Sequence, residues 1–351
     1  MTFQPDYRHI LDAAQNREAS RLPLYEHIIS SEKIEDIIGR KFTAYYQGDD
    51  RDLDEYFRHY CGFFRDYGYD TVSFEASLGF TLPGNGALGN PSMTPVIQTM
   101  DDFRAYPWDE LCDHYFEEHD RYLKALRRNM PEGMKAIGGV GNGVFECVQT
   151  LTGYQNLCYI SADDEELYTG LFEKIGELER KVCSRFMKEY GDIFCVLRFG
   201  DDLGFKNNTL LSPDDIKTLI LPHYKNVIDT VHSHGKPFLL HSCGCIFKIM
   251  DDLIACGIDA KHSNEDQIAP FSTWIETYGD KIGNFGGIDM NVLCTLTKPE
   301  LKEYITPILE NSSGHGGIAI GTGNSIPDYI PTENYLYMLE LVREFRGDFA
   351  K

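Results

Sequence analysis

The sequence has little positive charge and no long apolar run. Lysine and arginine together number 33, against 55 aspartates and glutamates, and the net charge is −22 at pH 7. Such a balance repels a phosphate backbone, so we expect no nucleic-acid partner. No stretch approaches the roughly 20 apolar residues that cross a bilayer, and the first residues show no signal-peptide pattern. We therefore expect a cytoplasmic protein with no membrane association.

The ten cysteines do not suggest a disulfide framework. They are scattered from Cys61 to Cys294, and several lie inside apolar segments, where a free thiol behaves as a small hydrophobic side chain. Disulfide frameworks are typical of small secreted domains. The cysteine pattern therefore predicts free thiols in a reducing compartment.

Eight short β-rich segments alternate with helical segments. The candidate strands are 22–28, 71–76, 135–140, 194–199, 237–241, 257–262, 283–288 and 317–320. Helix starts lie between them, for example at Ser212-Pro213, where serine can cap a helix and proline can occupy its first turn. The pattern predicts an α/β fold, a single (β/α)8 TIM barrel over 1–351 with an amino-terminal helical extension over 1–21. An open doubly wound sheet is the alternative, but no Gly-x-Gly-x-x-Gly follows the first strand.

The tripeptide His241-Ser242-Cys243 follows the apolar run 237–240 directly. Because a strand projects alternate side chains to one face, His241 and Cys243 can point the same way. Imidazole and thiolate together suit zinc, but a catalytic zinc usually has three protein ligands. The pair predicts a metal site that needs one more ligand. The alternative is a hydrogen-bonded histidine beside a buried thiol.

Polar side chains follow nearly every predicted strand, at the end of a barrel where active sites lie. These residues are Glu26, His27, Glu75, Asn142, Asp201, Asp202, His262, Asn264, Glu265, Asp266, Asp289 and Asn324. Several have a structural alternative. Glu75 could be a general acid or base, or could pair with a lysine. The Asp201-Asp202 pair could be functional, or could form an acidic turn that caps a helix.

Several motifs together resemble the uroporphyrinogen decarboxylase superfamily. In chain order they are Gly200-Asp201-Asp202-Leu203-Gly204, Leu239-Leu240-His241-Ser242-Cys243-Gly244, Gly257-Ile258-Asp259-Ala260, Gly283-Asn284-Phe285-Gly286-Gly287-Ile288-Asp289 and Ile326-Pro327 with Ile330-Pro331-Thr332-Glu333-Asn334. The resemblance implies a (β/α)8 barrel. The superfamily contains both porphyrinogen decarboxylases and corrinoid-dependent methyltransferases.

Two features favour the methyltransferase branch of this superfamily. The decarboxylases carry an arginine-rich signature after the first strand, where this chain reads Glu26-His27-Ile28-Ile29-Ser30. The methyltransferases carry His-x-Cys as zinc ligands, which His241 and Cys243 match. Their third ligand is a cysteine shortly before Ile-Pro, and that position here is Asn324, a poor zinc ligand. The third protein ligand is then either absent or supplied by another strand end, for which we predict Glu265, with Asp201, Asp202, Glu75 and Cys245 as alternatives.

The resemblance implies a zinc-dependent methyltransferase that exchanges a methyl group between a small molecule and a corrinoid carried by a separate protein. The predicted metal ligands are His241, Cys243 and Glu265. The predicted catalytic residues are Glu75, Asp201 and Asp202. The predicted substrate-binding residues are Asn142, His262, Asp289 and Asn324. Two alternatives are a metal-free lyase acting on a tetrapyrrole or other carboxylated substrate, and a noncatalytic binding protein on the same scaffold.

Overall fold

Seven parallel strands form one sheet in this computed structural model, which describes residues 3–90 and 92–349. Each strand pairs with its neighbours in chain order from β1 to β7. The strands are β1 (Thr71–Glu75), β2 (Lys135–Asn142), β3 (Phe194–Gly200), β4 (Phe238–His241), β5 (Ala260–His262), β6 (Gly283–Ile288) and β7 (Ile318–Thr322). This arrangement confirms the predicted α/β class and resembles a TIM barrel.

Sixteen α-helices lie between and around these strands in the described ranges. They are α1 (Arg8–Ala14), α2 (Ser31–Ile38), α3 (Asp50–Asp66), α4 (Leu78–Thr81), α5 (Met100–Ala105), α6 (Leu111–Asn129), α7 (Val144–Thr152), α8 (Tyr154–Asp163), α9 (Glu165–Tyr190), α10 (Pro213–Asp215), α11 (Leu221–Ser233), α12 (Met250–Cys256), α13 (Phe271–Tyr278), α14 (Met290–Thr295), α15 (Lys298–Glu310) and α16 (Thr332–Phe345). Short 3₁₀ turns cover Thr43–Gln47 and Phe247–Ile249, and a π-helical turn covers Ile216–Ile220. The helix predicted from Ser212-Pro213 begins as expected, since the Ser212 hydroxyl caps it. None of the described helices is both long and apolar enough to cross a membrane.

The first predicted strand, 22–28, is the one that does not form. Its backbone meets β7 at a single parallel bridge between Leu24 and Ile320, where the Tyr25 N–H donates to the Ile320 carbonyl over 2.9 Å. Toward β1 the contact passes through a side chain, because the Ser73 hydroxyl donates to the His27 carbonyl. Pro23 has no N–H to donate. The described residues therefore contain seven strands of the predicted eight, with 22–28 as an irregular segment between β7 and β1.

The amino-terminal extension supplies α1, which packs against the sheet. Ile10, Ala13 and Ala14 are fully buried in one apolar cluster with strand residues such as Leu239 and Phe285. At the start of β7 a Cβ on Gly317 would lie 2.0 Å from the Ala13 carbonyl oxygen. A side chain there is excluded, so glycine allows the helix to approach the strand. Residues 1 and 2 of the predicted extension lie outside the described residues.

Strand alternation decides which polar side chains face the inside of the sheet. On β3, Arg198 is completely buried, whereas its neighbour Phe199 packs outward against Tyr224 of α11. The same period places His241 on β4 and His262 on β5 in one row with Gly200, since the three residues pair in register. The carboxyl ends of β3, β4 and β5 therefore bring two histidines side by side.

Candidate metal and substrate site

Three potential metal ligands converge where β3 and β4 end. The Cys243 Sγ lies 3.5 Å from the His241 Nε2, and the Asp202 Oδ1 lies 3.8 Å from the same nitrogen. The ligand atoms of all three residues lie within 4.8 Å of one another. One nitrogen, one sulfur and one oxygen donor in such an arrangement can hold a transition-metal ion.

Two crossing loops bring Asp202 to the cysteine. The Cys243 N–H donates to the Asp202 Oδ1 over 2.9 Å, and the Cys245 N–H donates to the Phe205 carbonyl over 2.6 Å. The backbones meet at Gly204 and Gly244, where a Cβ on Gly244 would lie 2.2 Å from the Gly204 carbonyl carbon. Gly244 also has φ +83°, a conformation that L side chains rarely adopt. The two glycines therefore permit the contact that places Asp202.

A chain of hydrogen bonds sets the proton positions on the histidines. The His262 Nε2 lies 2.9 Å from the Thr322 carbonyl oxygen, and the His262 Nδ1 lies 2.7 Å from the His241 Nδ1. Since a carbonyl only accepts, His262 carries its proton on Nε2 and accepts at Nδ1. His241 then donates from Nδ1, which leaves the lone pair of its Nε2 directed toward Cys243. Burial lowers the pKa of His262 to about 3 and that of His241 well below its ordinary value, so both rings are neutral.

A third histidine, His27, supports the ring of His241. The two rings stack with centroids 3.7 Å apart and planes only 9° from parallel. Although ring nitrogens of His27, His241 and His262 also lie within 4.8 Å of one another, stacked rings direct their in-plane lone pairs side by side and do not converge on one ion. The sequence placed His27 at a strand end without a role; its position here is that of a support for His241.

The side chain of Asn324 occupies the place that the resemblance assigns to a third cysteine. Its Nδ2 donates toward the Cys243 Sγ at 3.2 Å, and the Ser263 hydroxyl lies 3.5 Å from the same sulfur. Burial and the neighbouring Asp202 raise the pKa of the Cys243 thiol. A thiolate at this position therefore requires a cation beside it.

Glu265, the predicted third ligand, lies near this group but is not part of it. Its side chain lines the same cavity as Asp202 and Cys243. It is absent from the ligand atoms that converge within 4.8 Å. Within the described ranges its carboxylate has no hydrogen bond or ion pair. The geometry favours Asp202 as the third potential ligand, the role that we predicted for Glu265.

Glu75 and Asp201, two of the predicted catalytic residues, have internal partners. The Glu75 Oε1 accepts from the Nε of the buried Arg198 over 2.7 Å. Asp201 accepts from the backbone N–H of Phe145 and Glu146, at 3.0 and 2.8 Å, at the start of α7, and from the Tyr224 hydroxyl at 2.6 Å. Glu75 thus pairs with an arginine, and Asp201 caps a helix, which is the structural alternative for that residue. Asp202 is the member of the pair that faces the cavity.

Glu146 is a site residue that sequence reasoning missed. Its Oε2 accepts from the predicted substrate residue Asn142 over 2.8 Å, and its Oε1 accepts from the Asp202 N–H over 3.4 Å. Burial raises the pKa of Glu146 well above its ordinary value, and the carboxylates of Asp201 and Asp202 add to the effect. The signal available in the sequence was the position of Glu146 in the first turn of the helix that directly follows β2. Residues at that point lie at the carboxyl end of the sheet, where active sites of such folds lie.

Two cavities open at this end of the sheet. One, of about 340 Å³, is lined by residues that include Glu146, Asp202, Cys243 and Glu265. The other, of about 520 Å³, is lined by residues that include Asn264, Glu265, Asp289, Asn324 and Tyr329. Glu265 and Lys206 line both, so the cavities adjoin. Of the predicted substrate residues, Asp289 and Asn324 face the larger cavity, whereas His262 is buried behind His241.

Comparisons with known proteins show the family of this chain. A family model for uroporphyrinogen decarboxylase (URO-D) matches residues 69–345. A solved methyltransferase from Methanosarcina mazei is similar over 98% of both chains, with 15% identity and a TM-score of 0.68. A B12-independent methionine synthase from Shewanella sp. W3-18-1 matches 65% of this chain and 67% of its own at 16% identity, with a TM-score of 0.42. No curated protein matches this sequence significantly. Because the family model covers most of the chain, this protein belongs to the uroporphyrinogen decarboxylase family.

Proposed function

We propose that this protein is a metal-dependent methyltransferase that exchanges a methyl group between a small substrate and a corrinoid held by a partner protein. The observation that carries the proposal is the convergence of His241, Cys243 and Asp202 within 4.8 Å at the mouth of the sheet. The family's fold and the likeness of the whole chain to a solved methyltransferase support it. The motif Asp-x-His-x-x-Gly does not occur in the sequence, which favours a corrinoid carried by another protein.

Zinc fits these side chains better than a hard cation does. A neutral imidazole, a thiolate and a carboxylate are all common zinc ligands, and three protein ligands leave a position for substrate. When bound, the ion would polarise a heteroatom of the substrate, which lowers its pKa or improves it as a leaving group. We assign the third ligand to Asp202 in place of Glu265.

The surrounding residues would prepare this site in specific ways. His262 holds His241 in the tautomer that exposes the Nε2 lone pair, and the stacked His27 fixes the plane of that ring. The amide of Asn324 and the hydroxyl of Ser263 donate toward the Cys243 sulfur, which stabilises its charged form. Partners of this kind orient ligands and tune the metal.

Metal analysis of purified variants tests the proposal. Protein produced in zinc-supplemented medium is expected to contain stoichiometric zinc, and His241→Ala and Cys243→Ala are expected to lose most of it. Asp202→Asn should weaken binding, whereas Glu265→Gln, a matched loss of one nearby charge, should retain the metal. Zinc loss in Glu265→Gln but not in Asp202→Asn would return the third ligand to Glu265. Wild-type protein without bound metal would contradict the proposed function.

The alternative lyase receives less support from the cavity walls. A substrate with several carboxylates requires cationic partners, and Lys206 is the basic residue in the linings described above. Arg198 lies beneath the site, but it is buried and engaged by Glu75 and Tyr25. A metal-free wild-type protein that releases CO₂ from a carboxylated substrate would establish this alternative.

A further inference from the structure

Among the charged side chains that line the two adjoining cavities, five are acidic and one is basic. The acidic residues that line them are Glu146, Asp202, Glu265, Asp266 and Asp289. Lys206 is the basic residue in the described parts of these walls, and its Nζ is hydrogen bonded to the Gln267 Oε1 over 3.0 Å. The walls therefore favour positive charge in the space that they enclose.

Not all of this charge would be cancelled by a bound metal. A divalent ion held by a Cys243 thiolate and the Asp202 carboxylate would be neutralised by those two ligands. Glu265 would keep its charge, since no cation pairs with it among the described residues. Asp289 would keep its charge as well, because its partners are the backbone N–H groups of Asn291, Val292 and Asp266, which carry no net charge.

The larger cavity adjoins the smaller cavity, which Cys243 and Asp202 line, because Glu265 and Lys206 belong to both walls. Asn324 lines this cavity, and its Nδ2 lies 3.2 Å from the Cys243 Sγ. One molecule can therefore reach from the ligand group into the cavity of about 520 Å³. Tyr329 lies on the wall and is 75% exposed as a residue, so its aromatic side chain is accessible to a cationic group.

We propose that the larger cavity takes a cationic group of the substrate, a protonated or methylated ammonium, while a heteroatom of the same molecule lies at His241 and Cys243. The second half of this statement rests on the proposed function. Glu265 and Asp289 supply the attraction, and Tyr329 supplies a surface for the methyl groups. An anionic end such as a sulfonate would meet two carboxylates and no arginine fork.

Three thiols that differ at one end test the charge preference. Thiocholine carries a trimethylammonium group, 3,3-dimethylbutane-1-thiol is its neutral isostere, and 2-mercaptoethanesulfonate carries a negative charge. The quaternary nitrogen has no lone pair, so it cannot bind the metal itself.

Each thiol is titrated into the Co(II)-loaded protein while the thiolate-to-cobalt absorption is followed. We expect thiocholine to bind about fivefold more tightly than the isostere, and the sulfonate more weakly than both. Sulfonate binding as tight as that of thiocholine would overturn the inference.

Variants at Glu265 assign the preference to the cavity wall. Glu265→Gln should reduce the advantage of thiocholine over its isostere about twofold, because Asp289 remains, and Glu265→Lys should favour the sulfonate. Both should still bind cobalt, because the proposed ligands are unchanged. Glu303→Gln removes an exposed carboxylate on α15 and serves as the matched control. An advantage of thiocholine that is equal in wild type, Glu265→Gln and Glu265→Lys would refute the role of this wall.

Calorimetry on the metal-free protein separates the two proposals. If the protein binds no cobalt but still binds thiocholine more tightly than its isostere, the proposed function fails and the cavity assignment stands. If cobalt binds and the three thiols bind alike, the proposed function stands and the cavity assignment fails.

Discussion

The Nδ1 atoms of His241 and His262 lie 2.7 Å apart, so one ring donates a hydrogen bond to the other. The Thr322 carbonyl decides the direction of this hydrogen bond, because it accepts from Nε2 of His262 and so keeps the single N–H proton of that neutral ring on Nε2. The Nε2 lone pair of His241 is thereby presented to Cys243 and Asp202. The buried His262 thus fixes the tautomer of His241, a proposed metal ligand, and this relationship can be tested.

Replacement of His262 by phenylalanine should weaken metal binding at the proposed site without removing a proposed ligand. Phenylalanine keeps a flat buried ring but cannot accept from the His241 Nδ1, so the tautomer of His241 is no longer fixed. The loss of a ligand's hydrogen-bond partner typically costs about 10- to 100-fold in metal affinity. Competition with a zinc chelator measures the change. Affinity equal to that of the wild type would show that the His241–His262 bond does not orient the ligand.

The Glu75–Arg198 pair should contribute to stability more than to chemistry. Glu75→Gln leaves the fully buried Arg198 without its carboxylate partner, and removing one member of a buried pair costs about 3–5 kcal/mol. Urea unfolding should show this loss, and replacing both residues, as in Glu75→Leu with Arg198→Met, should recover part of it. Unchanged stability together with abolished methyl transfer would instead support the catalytic role predicted for Glu75.

The buried carboxyl of Glu26 should make stability depend on pH. Burial raises the pKa of Glu26 to about 8, despite hydrogen bonds from Thr322 and Tyr69. The folded protein therefore holds this proton where the unfolded chain has lost it. The resulting stability is fully present below the unfolded pKa, near 4.5, and is lost as pH rises through 8.

Melting temperatures measured from pH 5 to 9 test this behaviour of Glu26. The wild type is expected to lose stability relative to Glu26→Gln as the pH rises across this range, because glutamine does not titrate. The difference between the two proteins isolates Glu26 from other buried acids such as Glu179, whose pKa burial also raises. Parallel curves for the two proteins would show that Glu26 does not retain its proton.

The sequence predicted the strands well where alternation was regular. Seven of the eight predicted strands overlap those of the structure, since each combines an apolar run with flanking turn residues. Segment 22–28 is also rich in apolar residues, but it contains Pro23 and meets β7 at a single bridge and β1 through the Ser73 side chain. Composition reports on burial, whereas pairing on both edges depends on neighbours that are distant in the chain.

The candidate site was predictable only in part, because local patterns do not report contacts between residues that are distant in the chain. Strand period alone places His241 and Cys243 near each other. Asp202 joins them only because the loops after β3 and β4 cross at Gly204 and Gly244, a contact between segments about 40 residues apart that no local pattern encodes. Glu265 carries the same ligand chemistry on the next loop, so residue type alone does not distinguish it from Asp202.

Replacement of Asn324 by cysteine should strengthen the proposed metal site. The Asn324 Nδ2 lies 3.2 Å from the Cys243 Sγ, so a sulfur at this position would lie close to the other ligands. A second thiolate adds a soft, charged donor, which zinc and cobalt bind more tightly than an amide. Co(II) binding is the direct measurement, because thiolate-to-cobalt absorption should grow as the number of bound thiolates rises. The matched control, Asn324→Ser, supplies a side chain of similar size without the sulfur and should show no gain. An unchanged cobalt spectrum and unchanged zinc affinity in Asn324→Cys would mean that the ion does not lie between residues 243 and 324.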